Sequence, residues 1–187
     1  MSSVAIALVH YPVLDRQGAV ITTAITNLDL HDLARTACTY GVRAVYVVHP
    51  VLAQRELALR VKTHWVGGSG ARRIPTREAA MALLEIVASV DDVYAALGGR
   101  SSVDLYATSA RGEHRKTTTY ADGRSRIASS GRTSLLLFGT GWGLTDDLVA
   151  GADVFLDPIA GVSESGYNHL SVRAACAIVL DRLLGRA

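Results

Sequence analysis

Leu135-Leu136-Leu137-Phe138-Gly139-Thr140-Gly141-Trp142-Gly143-Leu144 decides the fold reading. An apolar run of strand type, 133–138, passes directly into three glycines at alternate positions. Glycine lets backbone approach a ligand closely, and open α/β sheets bind ligands beyond the carboxyl ends of their strands. A dinucleotide fingerprint would read G-x-G-x-x-G, open a helix in the first strand–helix unit and carry an acid about 20 residues on. Here the pattern is G-x-G-x-G, it lies late in the chain, and Trp142 interrupts it. A plain tight turn accounts for the glycines as well as a ligand loop does.

Outward from that stretch, short apolar runs alternate with helical patterns. The sequence predicts strands at 4–9, 43–49, 103–107, 133–138 and 153–156. It predicts helices at 29–40 (closed by Gly41), 50–65, 76–89 (behind Thr76 as a cap), 91–97, 145–150 and 168–184. Residues 11–28, 109–131 and 157–167 read as loops. Strands alternating with helices imply an α/β fold with a mainly parallel sheet and helices on both faces. The loops after Ala107, Phe138 and Leu156 are then the places to look for a ligand.

The chain has 187 residues, 49% hydrophobic and 19% charged, which reads as one globular domain over 1–187 and not as a disordered chain. A chain this long buries roughly 70% of its unfolded surface and needs no disulfide or metal staple. A net charge of +2 predicts no partner by itself. Cys38 and Cys176 sit in Ala-rich helical surroundings, outside any CxxC, and read as small buried hydrophobes. No ligand-like histidine spacing points to a metal. The start lacks a basic leader and no apolar run approaches the roughly 20 residues of a membrane span, so a cytoplasmic protein is expected.

Two further segments carry polar side chains that a plain fold does not require. Leu156-Asp157-Pro158-Ile159-Ala160-Gly161-Val162-Ser163-Glu164-Ser165-Gly166 lies between a short strand and a long helix, as a surface loop or as a ligand wall. Tyr167-Asn168-His169-Leu170-Ser171-Val172-Arg173-Ala174-Ala175-Cys176-Ala177 opens that helix, with Asn168 or Ser171 as its cap and alanines that permit close packing.

In this order, the three segments resemble the SPOUT methyltransferase superfamily. The best match is an RNA methyltransferase branch sometimes fused to a tRNA guanine methyltransferase. The resemblance runs nearly end to end. It takes in Val9-His10-Tyr11-Pro12-Val13, the stretch Thr26-Asn27-Leu28-Asp29-Leu30-His31-Asp32-Leu33-Ala34-Arg35, and Ala107-Thr108-Ser109-Ala110-Arg111. It implies a deep C-terminal trefoil knot, a homodimer, and S-adenosylmethionine (SAM) bound among the knotted loops. By that resemblance Thr108 and Ser109 form one wall of the cofactor site. Leu137, Gly139, Gly141 and Gly143 meet the adenosine half through backbone, and Ile159, Gly161, His169, Leu170, Ser171 and Val172 complete the pocket. Apolar walls with a few backbone hydrogen bonds suit a purine.

For catalysis the candidates are Arg35, to stabilise developing negative charge or hold a phosphate, and Glu164, as proton acceptor. By spacing alone these two read as a solvated helix residue and an exposed loop acid. Relatives that methylate ribose 2′-oxygens place an Asn six residues before the catalytic Arg. Here Asn27 lies eight before Arg35 and Asp29 takes the nearer position. His10 ends a strand where a ligand would lie, although a hydrogen-bonded structural histidine is the commoner case. Residues 111–132 carry six Lys/Arg against two acids, a net +4 within a chain of +2. Arg111, Arg115, Lys116 and Arg124 are the candidate contacts to tRNA or rRNA, with Tyr120 available to stack on a base. The expected activity is in-line methyl transfer from SAM to RNA. The alternatives are a knotted module that binds RNA without methylating it, and an oxidoreductase of ordinary dinucleotide-binding type.

Overall fold

The computed structural model describes residues 4–110, 116–162 and 164–186. The elements follow in order. Strand β1 is Val4–Val9, and β2 (Val13–Leu14) and β3 (Val20–Ile21) form a small hairpin. Helix α1 (Asn27–Thr39), β4 (Ala44–Val48), α2 (Leu52–Trp65), α3 (Ser69–Arg73) and α4 (Pro75–Met81) lead to β5 (Leu84–Val87). Then come α5 (Val90–Ala96), β6 (Val103–Ala107), α6 (Tyr120–Ser129), β7 (Thr133–Gly139), α7 (Asp146–Ala150), β8 (Val154–Phe155) and α8 (Val172–Leu184).

Six strands form one sheet in the order β5-β4-β1-β7-β6-β8, with every pair parallel. Such a sheet must be covered on both faces, and alternate residues of β1 divide accordingly. Val4, Ile6 and Leu8 join a core closed by Leu30, Leu33, Ala34 and Ala37 of α1, Met81 of α4, Ile127 of α6, and Val179, Leu180 and Leu183 of α8. Ala5, Ala7 and Val9 face a smaller core with Val90 and Val93 of α5 and Leu148 and Val149 of α7. The crossovers through α1 and α6 shift the chain one way along the sheet, and those through α5 and α7 shift it the other. This puts them on opposite faces, as right-handed connections demand.

The structure departs from the sequence expectations at five places. The helix expected over 76–89 stops at Met81, and Leu84–Val87 is an edge strand instead. Leu84 is fully buried and the Leu83 carbonyl accepts from Val45 N at 2.8 Å, so pairing with β4 overrides the helical propensity of Ala, Leu and Glu. The loop expected over 109–131 contains α6, capped by Thr119, whose Oγ1 accepts from Asp122 N at 3.1 Å. Gly123 conceals that helix in the sequence; a Cβ there would stand 3.0 Å from Leu156 Cδ2 and 3.1 Å from Leu183 Cδ2, so it permits close packing. The loop expected over 11–28 contains the β2–β3 hairpin. The final helix begins at Val172, because Ser171 is the cap, accepting from Ala174 N at 3.2 Å. Of the cysteines, Cys176 is buried and burial pushes its thiol up to about 12, whereas Cys38 is exposed on α1, off that helix's apolar stripe.

Candidate active site at the carboxyl ends of β1, β6 and β7

The glycine loop after β7 is held by the hairpin. Leu14 N donates to Gly143 O at 2.9 Å, and Trp142 N donates to Leu14 O at 2.9 Å. Gly141 sits at φ +59° with its would-be Cβ 2.9 Å from Leu14 O, so a side chain there meets strain and backbone together. At Gly139 a Cβ would lie 2.7 Å from Leu144 N and 2.9 Å from Gly143 C. The loop is therefore a tight turn, and it is also a cavity wall.

That cavity has a volume of about 620 Å³, within the range of small-molecule sites. It opens where β1 and β7 lie side by side and their onward connections leave in opposite directions, the crevice expected of an open parallel sheet. Its walls are Thr108–Ala110 beyond β6, Phe138–Leu144 at the end of β7 and the turn after it, Ile159, and 168–173 at the start of α8. The opposite wall comes from Thr23, Ala24, Thr26 and Asp29 in the N-terminal half. Asn168 ties two of these segments together, donating from Nδ2 to Ile159 O at 2.9 Å and accepting at Oδ1 from Gly161 N at 3.2 Å. His169 lies between Trp142 and Tyr167, with ring centroids 5.5 and 5.4 Å away.

Beside the N-terminal wall is a part-buried polar network around the buried His10. Thr140 Oγ1 donates to Val9 O at 3.1 Å, which leaves the Thr23 hydroxyl to donate to Thr140 Oγ1 at 2.5 Å. His10 Nδ1 then carries the proton shared with Thr23 Oγ1 at 3.0 Å, and His10 Nε2 is a buried acceptor without a partner among the described residues. Burial, with the neighbouring His49 ring adding to it against Asp29, lowers His10 to about 4. It stays neutral at physiological pH.

Beside it, Asp29 and Arg173 are the only Asp, Glu, Lys or Arg residues in the cavity wall among the described residues. Arg173 Nη1 donates to Asp29 Oδ1 at 2.6 Å, and its Nε lies 3.5 Å from Asp32 Oδ2. The Thr26 hydroxyl donates to Asp29 Oδ2 at 2.6 Å, and Asp29 N donates back to Thr26 Oγ1 at 3.1 Å. Asp29 is 4% exposed. The spacing T-x-x-D marks a helix start, but nothing in the sequence joins it to an arginine 144 positions away.

Of the residues expected at the cofactor, the structure brings together Thr108, Ser109, Gly139, Gly141, Gly143, Ile159, His169, Leu170, Ser171 and Val172 in one wall. Leu137 does not reach it: it is fully buried in mid-sheet, paired with Ala7 and Ala107. Gly161 stands just behind the wall, against Asn168. Arg35 and Glu164 are also outside it. Arg35 is exposed because α1 turns Leu33, Ala34 and Ala37 inward, and Glu164 is exposed in its loop.

The basic segment is only partly free to meet a phosphate. Arg124 is not a loose loop cation: its Nη1 and Nη2 donate to Gly185 O and Arg182 O at 2.8 Å, closing the end of α8. Arg126 and Arg132 pair with the buried Asp104. Tyr120 is half-buried beneath Arg182, whose Cζ lies 4.9 Å from its ring centroid, so it is not available for stacking. Lys116 is exposed, and Arg111 and Arg115 lie outside the described residues.

This geometry fits SAM. The cavity is large enough for a nucleoside-sized ligand, and Phe138, Leu144, Ile159, Leu170 and Val172 offer apolar walls for a purine. Backbone lies open at the glycine turn, and Thr108, Ser109 and Asn168 supply polar groups. Comparison with known proteins agrees. An uncharacterized protein of Aquifex aeolicus is 39% identical over 187 residues, covering 98% of this chain and 89% of its own length. A protein of Nitratidesulfovibrio vulgaris named tRNA (guanine-N(1)-)-methyltransferase is 41% identical over 182 residues, 96% of this chain and 41% of the relative. The chain thus spans less than half of that relative's length. Among solved structures, TrmJ from Z. mobilis superposes with a TM-score of 0.59 at 16% identity, covering 98% of this chain and 68% of that one. The A. aeolicus TrmH/SpoU tRNA modifying enzyme does so at 0.54 and 12%, over 98% and 75%. These two show a shared fold. A model of the SAM-dependent RNA methyltransferase family matches residues 3–185, and the chain belongs to that family.

Proposed function

We propose that this chain methylates a structured RNA, tRNA or rRNA, with SAM seated between the β7 glycine turn and the start of α8. The observation that carries the reading is the meeting of 108–110, 138–144, Ile159 and 168–173 around one cavity. When bound, SAM supplies a methyl group activated on a sulfonium. The chain's own residues do the rest. Gly139, Gly141 and Gly143 leave backbone open to the ligand, Ile159, Leu170 and Val172 exclude water, and Asn168 keeps the 159–161 turn against 168–172. Thr23, Thr26, Asp29 and Arg173 form the polar side on which an acceptor is oriented.

The reading extends to a trefoil-knotted single domain and a homodimer, in the cytoplasm where tRNA and rRNA are modified. Convergence of the β7 glycine turn, Ile159 and the start of α8 on one cavity supports the threading. Leu28, Tyr167 and Leu170, exposed at the edge of the cavity wall, support a second copy covering its mouth. No described helix is long and apolar enough to cross a membrane. Calorimetric titration with SAM, followed by transfer of labelled methyl to cellular RNA, tests the function. Binding with transfer is expected. No uptake of SAM overturns the reading, and uptake of SAM and RNA without label in the RNA leaves a binding module in its place.

A further inference from the structure

Resting on the proposed methyl transfer, we infer that Asp29 receives the acceptor's proton, with Arg173 and Thr26 as its positioning residues. The acceptor is accordingly a proton-bearing group of the nucleotide. Among the described residues the wall contains one carboxylate, and it is buried. A carboxylate offers about four lone-pair positions. Arg173 takes one on Oδ1 and Thr26 one on Oδ2, which leaves acceptor capacity on a group that faces the cavity.

Helix capping explains the contact between Asp29 and Thr26. It does not explain why Asp29 is also joined to an arginine in the first turn of α8, next to Ser171 and Val172 of the proposed cofactor wall. The ion pair holds the carboxylate in one orientation between the two halves of the cavity. Arg173 is in turn flanked by Asp32, so its charge is already engaged by two acids and it is poorly placed to serve as a free phosphate clamp.

The chemistry balances. The acceptor's lone pair forms the new bond to the methyl carbon, and the carbon–sulfur bond breaks with its electron pair kept by sulfur. The acceptor's hydrogen leaves as a proton to an Asp29 oxygen, and from there to water. A ribose hydroxyl, a ring amide N–H or an exocyclic amine needs this service. A ring nitrogen that attacks through a bare lone pair does not.

The test compares wild type with Asp29→Asn, Arg173→Met and Arg173→Lys. It measures SAM affinity by calorimetry, thermal stability, labelled-methyl transfer to total cellular RNA, and the methylated atom by nucleoside mass spectrometry. Asp29→Asn keeps the shape and the Thr26 contact. It should bind SAM within about threefold of wild type while kcat falls about 100-fold, the lower end for general-base loss. Arg173→Met should lower kcat with SAM affinity held, and Arg173→Lys should recover most of it. The inference is overturned if Asp29→Asn keeps kcat within about threefold. It is also overturned if the loss follows lost SAM affinity or lost folding in both Asp29→Asn and Arg173→Met, or if the methyl lies on a ring nitrogen that had no hydrogen. A wild type that labels no RNA overturns the proposed function itself, which the variants alone would not.

Discussion

Replacing His10 by asparagine should remove about 2 kcal/mol of the protein's loss of stability between neutral and acid pH. His10 is fully buried, and its Nε2 has no partner among the described residues. Burial first, then the neighbouring His49, lowers its pKa from 6.5 to about 4, with Asp29 opposing. The folded value lies below the unfolded one, so the unfolded chain binds more protons between them. Stability from this group is therefore complete above pH 6.5 and is lost as pH falls from 6.5 towards 4. A shift of roughly 2.5 units corresponds to about 3 kcal/mol, of which about 2 kcal/mol is gone by about pH 4.5. In His10→Asn the introduced amide would still donate to Thr23 but cannot titrate. Urea unfolding of both proteins at about pH 7.5, 6 and 4.5 reads the effect as a difference of differences, in which carboxylates and the other histidines largely cancel. The two stability curves should converge by about 2 kcal/mol towards acid pH. Curves that stay parallel, or an imidazole NMR titration of His10 centred near 6.5, would refute the claim that burial keeps this ring neutral.

Two other substitutions separate structure from function. Gly139→Ala puts a Cβ against the backbone of Gly143 and Leu144, so the turn must move; SAM affinity should fall at least about tenfold, with calorimetry as the check. Arg124→Ala removes the donors that close α8 at Arg182 O and Gly185 O and should cost roughly 2 kcal/mol in urea unfolding. RNA affinity should hardly change; unchanged stability with weakened RNA binding would make Arg124 an RNA contact after all.

The buried strands were legible because a parallel sheet covered on both faces leaves continuous apolar runs, and 4–9 and 135–138 are such runs. The cavity wall was legible only through the family resemblance, whose glycine turn and helix start keep their order along the chain. What stayed hidden depends on partners distant in sequence. Leu84–Val87 becomes a strand only beside β4, since its own residues favour a helix. Helix α6 tolerates Gly123 because Leu156 and Leu183 occupy the space of a side chain. Arg124 reads as a loop cation until the end of α8 arrives next to it. Asp29 was visible as a departure from the expected Asn, yet its meaning required Arg173, which no local pattern supplies.

The division of the cavity follows from the order of strands. Strand β1 feeds the hairpin and α1, whereas β7 feeds the glycine turn and β8 the stretch that leads to α8. Because β1 and β7 are neighbours, the two sets of loops face each other across one crevice although they lie more than a hundred residues apart. The C-terminal set has the backbone-exposing glycines and apolar walls that suit a cofactor. The N-terminal set contributes Thr23, Thr26 and Asp29, hydroxyls and a carboxylate that suit a polar acceptor. Substitutions in the first set should then appear chiefly in SAM affinity and those in the second chiefly in turnover. Arg173 stands on the C-terminal side but bonds across to Asp29, so its two half-effects should be coupled. A double-mutant cycle between Asp29 and Arg173 that proved additive in kcat would show that the crevice does not work as two cooperating walls.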